Sequence, residues 1–215
     1  MAELTPPCRL CFHQTRDLMT VDGRGYFACD HCGLRMMGAA DLPDAVDEKN
    51  HYDQHENKLD DKGYQAFLGR LADPLKKRLS SASSLLDFGA GPGPALAAMM
   101  RDDGHDVAIY DPFYAPDASL LSAEYDAVMA TEVVEHFHHP HEGFKTMLSC
   151  VRPGGWLAIM TNLQDDDAAF AQWYYRRDPT HVAFYREETF QFIGRHFGLE
   201  LDRVSRNVTF FRKPE

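Results

Sequence analysis

The sequence predicts an α/β domain with a doubly wound, mostly parallel sheet, and a small metal-binding module before it. From about residue 61 onward, short apolar segments alternate with amphipathic ones, a pattern typical of strands connected by helices. Upstream, four of the five cysteines form two Cys-x-x-Cys pairs. In a reducing compartment such pairs indicate metal ligation rather than a disulfide framework.

The chain divides by composition into three predicted parts. Residues 1–45 hold the cysteine module, residues 46–80 form a polar connector and a helix, and residues 81–215 form the α/β domain. A length of 215 residues accommodates one such domain, typically roughly 150 to 200 residues, and a small appendage. The connector lacks a strong apolar period, so we expect loop or short helix there.

Charge and hydropathy limit the partners. The chain has 33 acidic and 22 basic residues, and its net charge of -11 repels phosphate backbones and anionic lipids. No apolar run approaches the roughly 18 residues of a membrane span, and the N-terminus lacks the features of a signal peptide. We therefore expect a cytoplasmic protein that binds a small molecule rather than a membrane or nucleic acid.

An amphipathic helix is predicted directly before the first strand of the α/β domain. Apolar side chains recur there at steps of three and four residues, which places them on one buried face. Pro74 is expected to kink or restart this helix, because proline cannot donate a backbone hydrogen bond. The apolar positions are Tyr64, Phe67, Leu68, Leu71, Ala72, Leu75 and Leu79.

Four short apolar segments are the predicted parallel strands. The first crossover helix is expected to have Pro94 at its first position and Gly104 just past its end. Residues 152–155, with the sequence Arg-Pro-Gly-Gly, are expected to form a turn that leads into the fourth strand. The four strands are predicted at residues 85–88, 107–110, 127–131 and 156–161.

The C-terminal region is predicted to contain a further helix and a strand pair. Phe190, Ile193 and Phe197 have the spacing of one helix face. Residues 199–204 and 207–211 are the predicted strands, and we expect this pair to run antiparallel to its neighbours.

A glycine-rich turn follows the first parallel strand. Gly89, Gly91 and Gly93 stand between that strand and a helix, where a backbone without Cβ atoms lets a ligand approach closely. Asp111 follows at the end of the second strand, where a carboxylate can accept hydrogen bonds from both hydroxyls of a ribose. The pair predicts a nucleotide-type cofactor site. It does not separate NAD from other such cofactors, and an ordinary tight connection is the simpler alternative.

Further segments in the same order carry a resemblance to a known family. Residues 131–136 follow the third strand, and residues 152–156 precede a strand that ends at Asn162. Over roughly residues 61–211 the chain resembles the Rossmann-like class I S-adenosylmethionine methyltransferases, especially those related to ubiquinone-pathway O-methyltransferases. The cysteine pairs, followed by Gly33 and Tyr52, look like a branch with an N-terminal zinc ribbon.

The resemblance implies where S-adenosylmethionine binds. The three glycines would line its methionine end, Asp111 would hold its ribose, and residues 131–133 would lie beside the sulfur that carries the methyl group. The donor-site residues that it implies are Tyr64, Asp87, Gly89, Ala90, Gly91, Gly93, Asp111, Pro112, Phe113, Thr131, Glu132 and Val133.

The chain departs from the family pattern after Asp111. Only about fifteen residues separate Asp111 from the strand that begins at Ala127, whereas the usual fold has another strand and helix there. We therefore expect a trimmed sheet edge. Because the missing strand normally supplies contacts to adenine, residues 112–114 are the predicted substitute.

The connector is the predicted lid, since this fold commonly covers its cofactor from that side. Plain packing is the preferred alternative for Phe67. The lid residues are Tyr52, His55, Asn57, Tyr64 and Phe67.

Cys8, Cys11, Cys29 and Cys32 have the spacing of a four-thiolate tetrahedral site. With four protein ligands such a site stabilises folding and has no position for a reactive water, so zinc is predicted as a structural ion. Iron of the rubredoxin type is the alternative. We favour a module that braces the N-terminus over one that presents a substrate, and His13 is an expected bystander, as is His31.

Histidines supply the candidate catalytic residues. Methyl transfer to a hydroxyl or amine also requires removal of one proton, and His181 is the first candidate base and His136 the second. A structural hydrogen-bonding role is the alternative for both. The dense segment from Glu132 to His141 also allows a second metal site, which we consider the weaker hypothesis. Arg176 and Arg177 are candidate partners of an anionic substrate.

Together these patterns predict a methyltransferase that acts on a small molecule through an O, N, S or C nucleophile. One alternative keeps the chemistry but makes the acceptor RNA or protein, with the zinc module as reader. Another is a zinc- and cofactor-binding protein without catalysis.

Overall fold

Two β-sheets organise the chain, which the computed structural model describes over residues 5–54 and 61–215. A six-stranded sheet is the centre of the α/β domain, and a four-stranded antiparallel sheet belongs to the N-terminal module. The strands are β1 (Arg16–Val21), β2 (Arg24–Ala28), β3 (Arg35–Met37), β4 (Ser84–Phe88), β5 (Asp106–Tyr110), β6 (Tyr125–Thr131), β7 (Val151–Met160), β8 (Ala183–Phe184), β9 (Glu200–Arg203) and β10 (Val208–Arg212). The α-helices are α1 (Ala45–Tyr52), α2 (Lys62–Lys76), α3 (Ala95–Asp102), α4 (Pro140–Ser149), α5 (Asp167–Phe170) and α6 (Glu187–Phe197).

The central sheet has the order β5-β4-β6-β7-β10-β9. β4 pairs in parallel with β5 and β6, and β6 pairs in parallel with β7. β10 is antiparallel to both β7 and β9. The α/β class, the mostly parallel sheet and the antiparallel C-terminal pair are therefore confirmed.

The sheet ends at β5, as the short spacing after Asp111 predicts. Beyond β5 the chain makes a 3₁₀ helix at Ala118–Ser122 and then enters β6, in the middle of the sheet. The trimmed edge leaves β5 partly buried, with its last three residues only half covered.

α2 and α3 pack on one face of the central sheet. The helical spacing of α2 buries Leu68, Leu71, Ala72 and Leu75, which contact the apolar side chains of α3 and the sheet. The helix continues through Pro74 and does not restart there. Since Pro74 lies in the last turn of α2, its missing N–H removes a single hydrogen bond near a helix end.

Two further local predictions differ from the structure. Residues 152–155 belong to β7 rather than to a turn, because Gly154 donates to the carbonyl of Lys213 and Lys213 donates to that of Gly155, both at 2.9 Å. The first crossover helix begins at Ala95, so Pro94 caps it from outside. Gly104 follows that helix with φ of +89°, a conformation that favours glycine.

The N-terminal module is joined to the α/β domain through its sheet. β8 comes from the C-terminal part of the chain and adds a fourth strand beside β3. Arg35 of β3 forms two hydrogen bonds with Asp167 of α5, at 2.8 and 2.9 Å, and its side chain is almost wholly buried. The module shares an apolar cluster with α4 and α6, whereas α2 and α3 belong to the cluster on the opposite face of the sheet.

Within the described residues, no helix combines the length and the apolar character that crossing a membrane requires.

Candidate functional site

A cavity of about 510 Å³ lies at the carboxyl ends of β4, β5 and β6. Parallel strands that pair in register end at one sheet edge, so the loops that follow them meet there. The glycine turn follows β4, Asp111 follows β5 directly, and Glu132 follows β6. Position on this edge explains why residues far apart in sequence share the cavity.

All of the residues predicted to bind the donor line this cavity. The structure thus brings them together, while their role in binding stays a prediction. Tyr52, Phe67 and Tyr114 line it as well, whereas His55 and Asn57 of the predicted lid lie outside the described residues. The predicted donor residues found in its wall are Tyr64, Asp87, Gly89, Ala90, Gly91, Gly93, Asp111, Pro112, Phe113, Thr131, Glu132 and Val133.

Gly89 and Gly91 of the turn both have positive φ, but they differ in the space around them. Gly89 has φ of +75°, and a Cβ there would lie 2.7 Å from Cγ2 of Val133. Gly91 has φ of +65°, but a Cβ there would have no neighbour within 4 Å. Gly89 is therefore needed for packing, while the space above Gly91 belongs to the open cavity.

Asp111 connects two turns that border the cavity. Its Oδ2 accepts from the backbone N–H of Gly91 at 2.9 Å. Its Oδ1 accepts from the N–H groups of Phe113 and Tyr114 at 2.8 and 3.0 Å. A carboxylate has about four acceptor positions, so it retains capacity for a ligand hydroxyl.

Asp87 stands at the base of the glycine turn. Burial raises the pKa of this carboxyl to about 7, against the opposing effects of the Ala97 N–H and of Arg101. Asp87 is therefore a cavity carboxyl whose ionisation responds to any charge bound beside it.

Helix α1 of the connector covers the cavity from outside. It has no buried residue and is attached by polar contacts instead of an apolar face. Tyr52 at its end contacts the rings of Phe113 and His136, with centroids 5.8 and 5.2 Å apart. The polar contacts join Glu48 to His138 at 2.9 Å, His51 to Asp178 at 3.1 Å and Asp53 to Tyr114 at 2.6 Å.

The two candidate catalytic histidines line the other end of the cavity, with ring centroids 4.7 Å apart. Nδ1 of His136 lies 2.9 Å from the carbonyl of Thr180, and Nδ1 of His181 lies 2.7 Å from that of Tyr175. A carbonyl only accepts, so each Nδ1 carries the hydrogen, and in a neutral ring Nε2 is then the nitrogen that acts as acceptor. Burial lowers the pKa of His136, which favours the neutral ring.

Asp178 lies beside His181, with 3.8 Å between a carboxylate oxygen and Nε2. Burial disfavours its ionised form, but His181, Thr180 and His51 outweigh that effect and lower the pKa of Asp178 to about 2. Asp178 is therefore a negative charge next to His181 at neutral pH.

Two glutamates, one buried and one half-buried, meet at the hydroxyl of Tyr175 close to the histidines. Glu135 is wholly buried, accepts from the Thr161 hydroxyl at 2.9 Å and also bonds the Tyr175 hydroxyl. The same tyrosine hydroxyl lies 3.1 Å from a carboxylate oxygen of Glu132. Burial raises the pKa of both glutamates to about 7. Glu132 has φ of +53°, an unfavourable backbone angle that packing must maintain.

Glu135, His136 and His181 form a cluster that could hold a metal ion. Their candidate ligand atoms all lie within 4.8 Å of one another. Of the other histidines of the segment, His138 bonds Glu48, His141 bonds the carbonyl of Leu10, and His139 is exposed before the first turn of α4. The candidate ligands of the second metal site are therefore two histidines and one carboxylate. This set of ligands suits divalent transition metals.

Sequence reasoning missed the partners of this cluster. Thr161 and Tyr175 carry no motif, and they reach Glu135 only because the chain returns from β7 through the segment before β8. The arginine hypothesis was wrong for Arg176, which is buried away from the cavity and pairs with Asp22 at 2.9 Å. Arg177 is not part of the cavity wall either.

The four cysteines of the N-terminal module converge. The sulfur atoms of Cys8 and Cys32 are 3.5 Å apart and those of Cys11 and Cys29 are 3.4 Å apart. All four lie within 4.8 Å of one another and are buried. A tetrahedron with arms of about 2.3 Å has edges of about 3.8 Å, so donor type and spacing fit a closed zinc site. The cluster fits the predicted zinc ribbon.

The family is shown by comparison with known proteins. Residues 51–204 match the family described as "Methyltransferase domain", which is well over half of the chain. The chain therefore belongs to this methyltransferase family, while the ubiquinone-pathway subgroup stays a prediction. No curated protein matches the sequence.

Solved structures with the same fold include two proteins from Burkholderia thailandensis. One is 1,6-didemethyltoxoflavin-N1-methyltransferase with bound 1,6-didemethyltoxoflavin and S-adenosylhomocysteine, at 16% identity and a TM-score of 0.58, over 93% of this chain and 100% of that one. The other is an O-methyltransferase family protein, at 17% identity and a TM-score of 0.54, over 82% of this chain and 66% of that one. At these identities the likeness concerns the fold.

The two roles of glycine in the turn predict different costs of substitution. Gly89→Ala is expected to lower the free energy of unfolding by about 2 kcal/mol or more, because strain at positive φ adds to a clash with Val133. Gly91→Ala meets no neighbour and should cost only about 1 kcal/mol. Urea denaturation of the two variants beside the wild type measures the difference, and equal losses would contradict this account.

Proposed function

We propose that this chain transfers a methyl group from S-adenosylmethionine to a small-molecule acceptor with an O, N, S or C nucleophile, and releases S-adenosylhomocysteine. The observation that carries the proposal is the convergence of the predicted donor residues on one cavity at the carboxyl edge of the sheet. The small-molecule methyltransferase from Burkholderia thailandensis, with its bound S-adenosylhomocysteine, supports the same assignment.

The donor occupies the side of the cavity bordered by the glycine turn. The open space above Gly91 accepts its methionine part, and Asp111 accepts hydrogen bonds from its ribose. Phe113 and Tyr114 form the wall for adenine, since the trimmed edge offers no further strand. Residues 131–133 would hold the part of the donor that carries the methyl group, in the same cavity as the two histidines.

The acceptor occupies the side bordered by His136 and His181. An electron pair of the acceptor atom forms the new bond to the methyl carbon, and the electrons of the carbon–sulfur bond remain on sulfur as a neutral thioether. When the nucleophile carries a hydrogen, its proton passes to Nε2 of a histidine, with His181 as the first candidate base and His136 as the second. Asp178 stabilises the charge that His181 gains.

A divalent cation is the second role that the geometry supports for these histidines. Held by Glu135, His136 and His181, it would bind an acceptor oxygen directly and favour its deprotonated form. This role is supported by the ligand set, in which His181 joins Glu135 and His136 of the segment from Glu132 to His141.

The N-terminal cysteines hold a structural zinc ion, with iron as the alternative. Four thiolates in a reduced state suit a cytoplasmic location. The net charge of -11 favours a small acceptor over RNA or an acidic protein. Binding of the cofactor without turnover on a broad acceptor panel would instead support a non-catalytic binding protein.

Donor binding is tested by calorimetry with S-adenosylmethionine and, separately, NADH. We expect micromolar binding of S-adenosylmethionine and at least a roughly tenfold loss of affinity in Asp111→Asn, because the amide keeps the volume but no longer offers two acceptor oxygens. Asp117→Asn is the matched control, since Asp117 is exposed on the following loop and lies outside the cavity wall. Preference for NADH, or equal affinity of both variants, would contradict the donor assignment.

The catalytic assignment is tested with His181→Ala on an acceptor found by screening. Loss of a positioned base or ligand should lower the transfer rate by roughly 100-fold or more, while donor affinity stays within a few fold. His31→Ala, in the cysteine module, is the control. Dependence of the wild-type rate on added Mn²⁺ would select the cation role over the base role, and an unchanged rate of His181→Ala across pH excludes both.

The metal content of the module is tested by elemental analysis. Protein purified without chelators is expected to contain about one equivalent of zinc per chain. Cys29→Ala should fall below half an equivalent and lose stability, because it removes a ligand of a structural site. Cys150→Ala is the matched control, since Cys150 is the buried cysteine outside the module. Less than half an equivalent in the wild type would reject the site.

A further inference from the structure

Arg9 lies between the four-thiolate cluster and the histidine side of the cavity. It directly follows Cys8, and its Nη2 donates to the carbonyls of Val182 at 2.9 Å and Met37 at 3.1 Å. Met37 also donates its N–H to the Val182 carbonyl at 3.0 Å. Residues of the cysteine module therefore hold one carbonyl of the catalytic domain from two directions.

The carbonyl that Arg9 holds belongs to the residue after His181. On its other side, the N–H of Val182 donates to the backbone carbonyl of Glu135 at 2.9 Å. One peptide segment thus connects Arg9 with both His181 and Glu135. A shift of Val182 would move two members of the histidine cluster at once, since they share this short stretch of backbone.

Arg9 carries a charge that no carboxylate of the described part of the chain neutralises. Among the described residues, no Asp or Glu forms an ion pair with its guanidinium, and its Nε and Nη1 are buried without a hydrogen-bond partner. Leaving a cation in this state is costly unless a negative charge lies nearby. Zn²⁺ with four thiolates carries a net charge of -2, and one of those thiolates belongs to the adjacent Cys8.

We propose that Arg9 is a positioning residue that couples the zinc cluster to the histidine side of the cavity. The charge of the loaded cluster retains the guanidinium, and the guanidinium in turn fixes the Val182 carbonyl and the backbone beside His181. The cysteine module then serves the site as well as the N-terminal fold. This inference rests on the proposed function only in identifying that side as the acceptor side.

The test compares Arg9→Met and Arg9→Lys with the wild type, each zinc-loaded and full length. Methionine keeps the unbranched stem of the side chain but removes its charge and its hydrogen bonds, whereas lysine keeps the charge. We expect zinc transfer to a chromophoric chelator to be roughly tenfold faster in Arg9→Met, and less accelerated in Arg9→Lys. With zinc still bound, the imidazole ¹⁵N signals of His181 and His136 should shift in Arg9→Met.

Arg24→Met, on strand β2 of the same module, is the matched control and should leave both measurements unchanged. Imidazole signals that do not move in zinc-loaded Arg9→Met overturn the coupling, even when zinc is released faster. If Arg9→Met does not fold, Arg9→Lys decides, because lysine keeps the charge but its shorter side chain withdraws the donor from both carbonyls, so the imidazole signals should still shift; signals that do not move in this variant overturn the coupling. None of these readouts needs a methyl acceptor, so failure of the proposed function and failure of this inference are separately visible.

Discussion

The parallel pairing of β4 with β5 and β6 is the constraint on which the site depends. Asp87 of β4 pairs with Ile109 on one side and Met129 on the other, so the three strands end at one level. The turn after β4, the carboxylate after β5 and the segment after β6 are then held within reach of one ligand. Side chains of the sheet interior determine the register of the strands, and this register determines where the loops after β4, β5 and β6 lie.

What the sequence predicts well is local or is tied to that register. The glycine turn, Asp111 and the cysteine pairs each follow from spacing within a short segment, and the structure brings each group together. The trimmed edge also follows from a count of residues. Pro74 and residues 152–155 were misjudged because their neighbours in space, the end of α2 and Lys213, outweigh the local preference for a break.

The polar groups behind the histidines could not be predicted in the same way. Glu135 meets Thr161 and Tyr175 across 26 and 40 residues of sequence, and neither partner has a pattern that indicates a buried contact. The attachment of α1 by charged and polar side chains could not be predicted either. An exposed helix without an apolar face gives no indication in sequence of what it contacts. Such contacts depend on how the chain returns to the sheet edge.

The pairing of β3 with β8 has a consequence for synthesis and for evolution. Arg35 and Phe184 are neighbours in this sheet but lie about 150 residues apart in the chain. During synthesis the N-terminal cysteines leave the ribosome early and can bind an ion. Their sheet is complete only after β8 has been made, when most of the chain has been synthesised. A version shortened at the N-terminus would leave β8 without β3, its partner strand in this sheet, so loss of the module would uncover backbone groups and apolar side chains of the α/β domain.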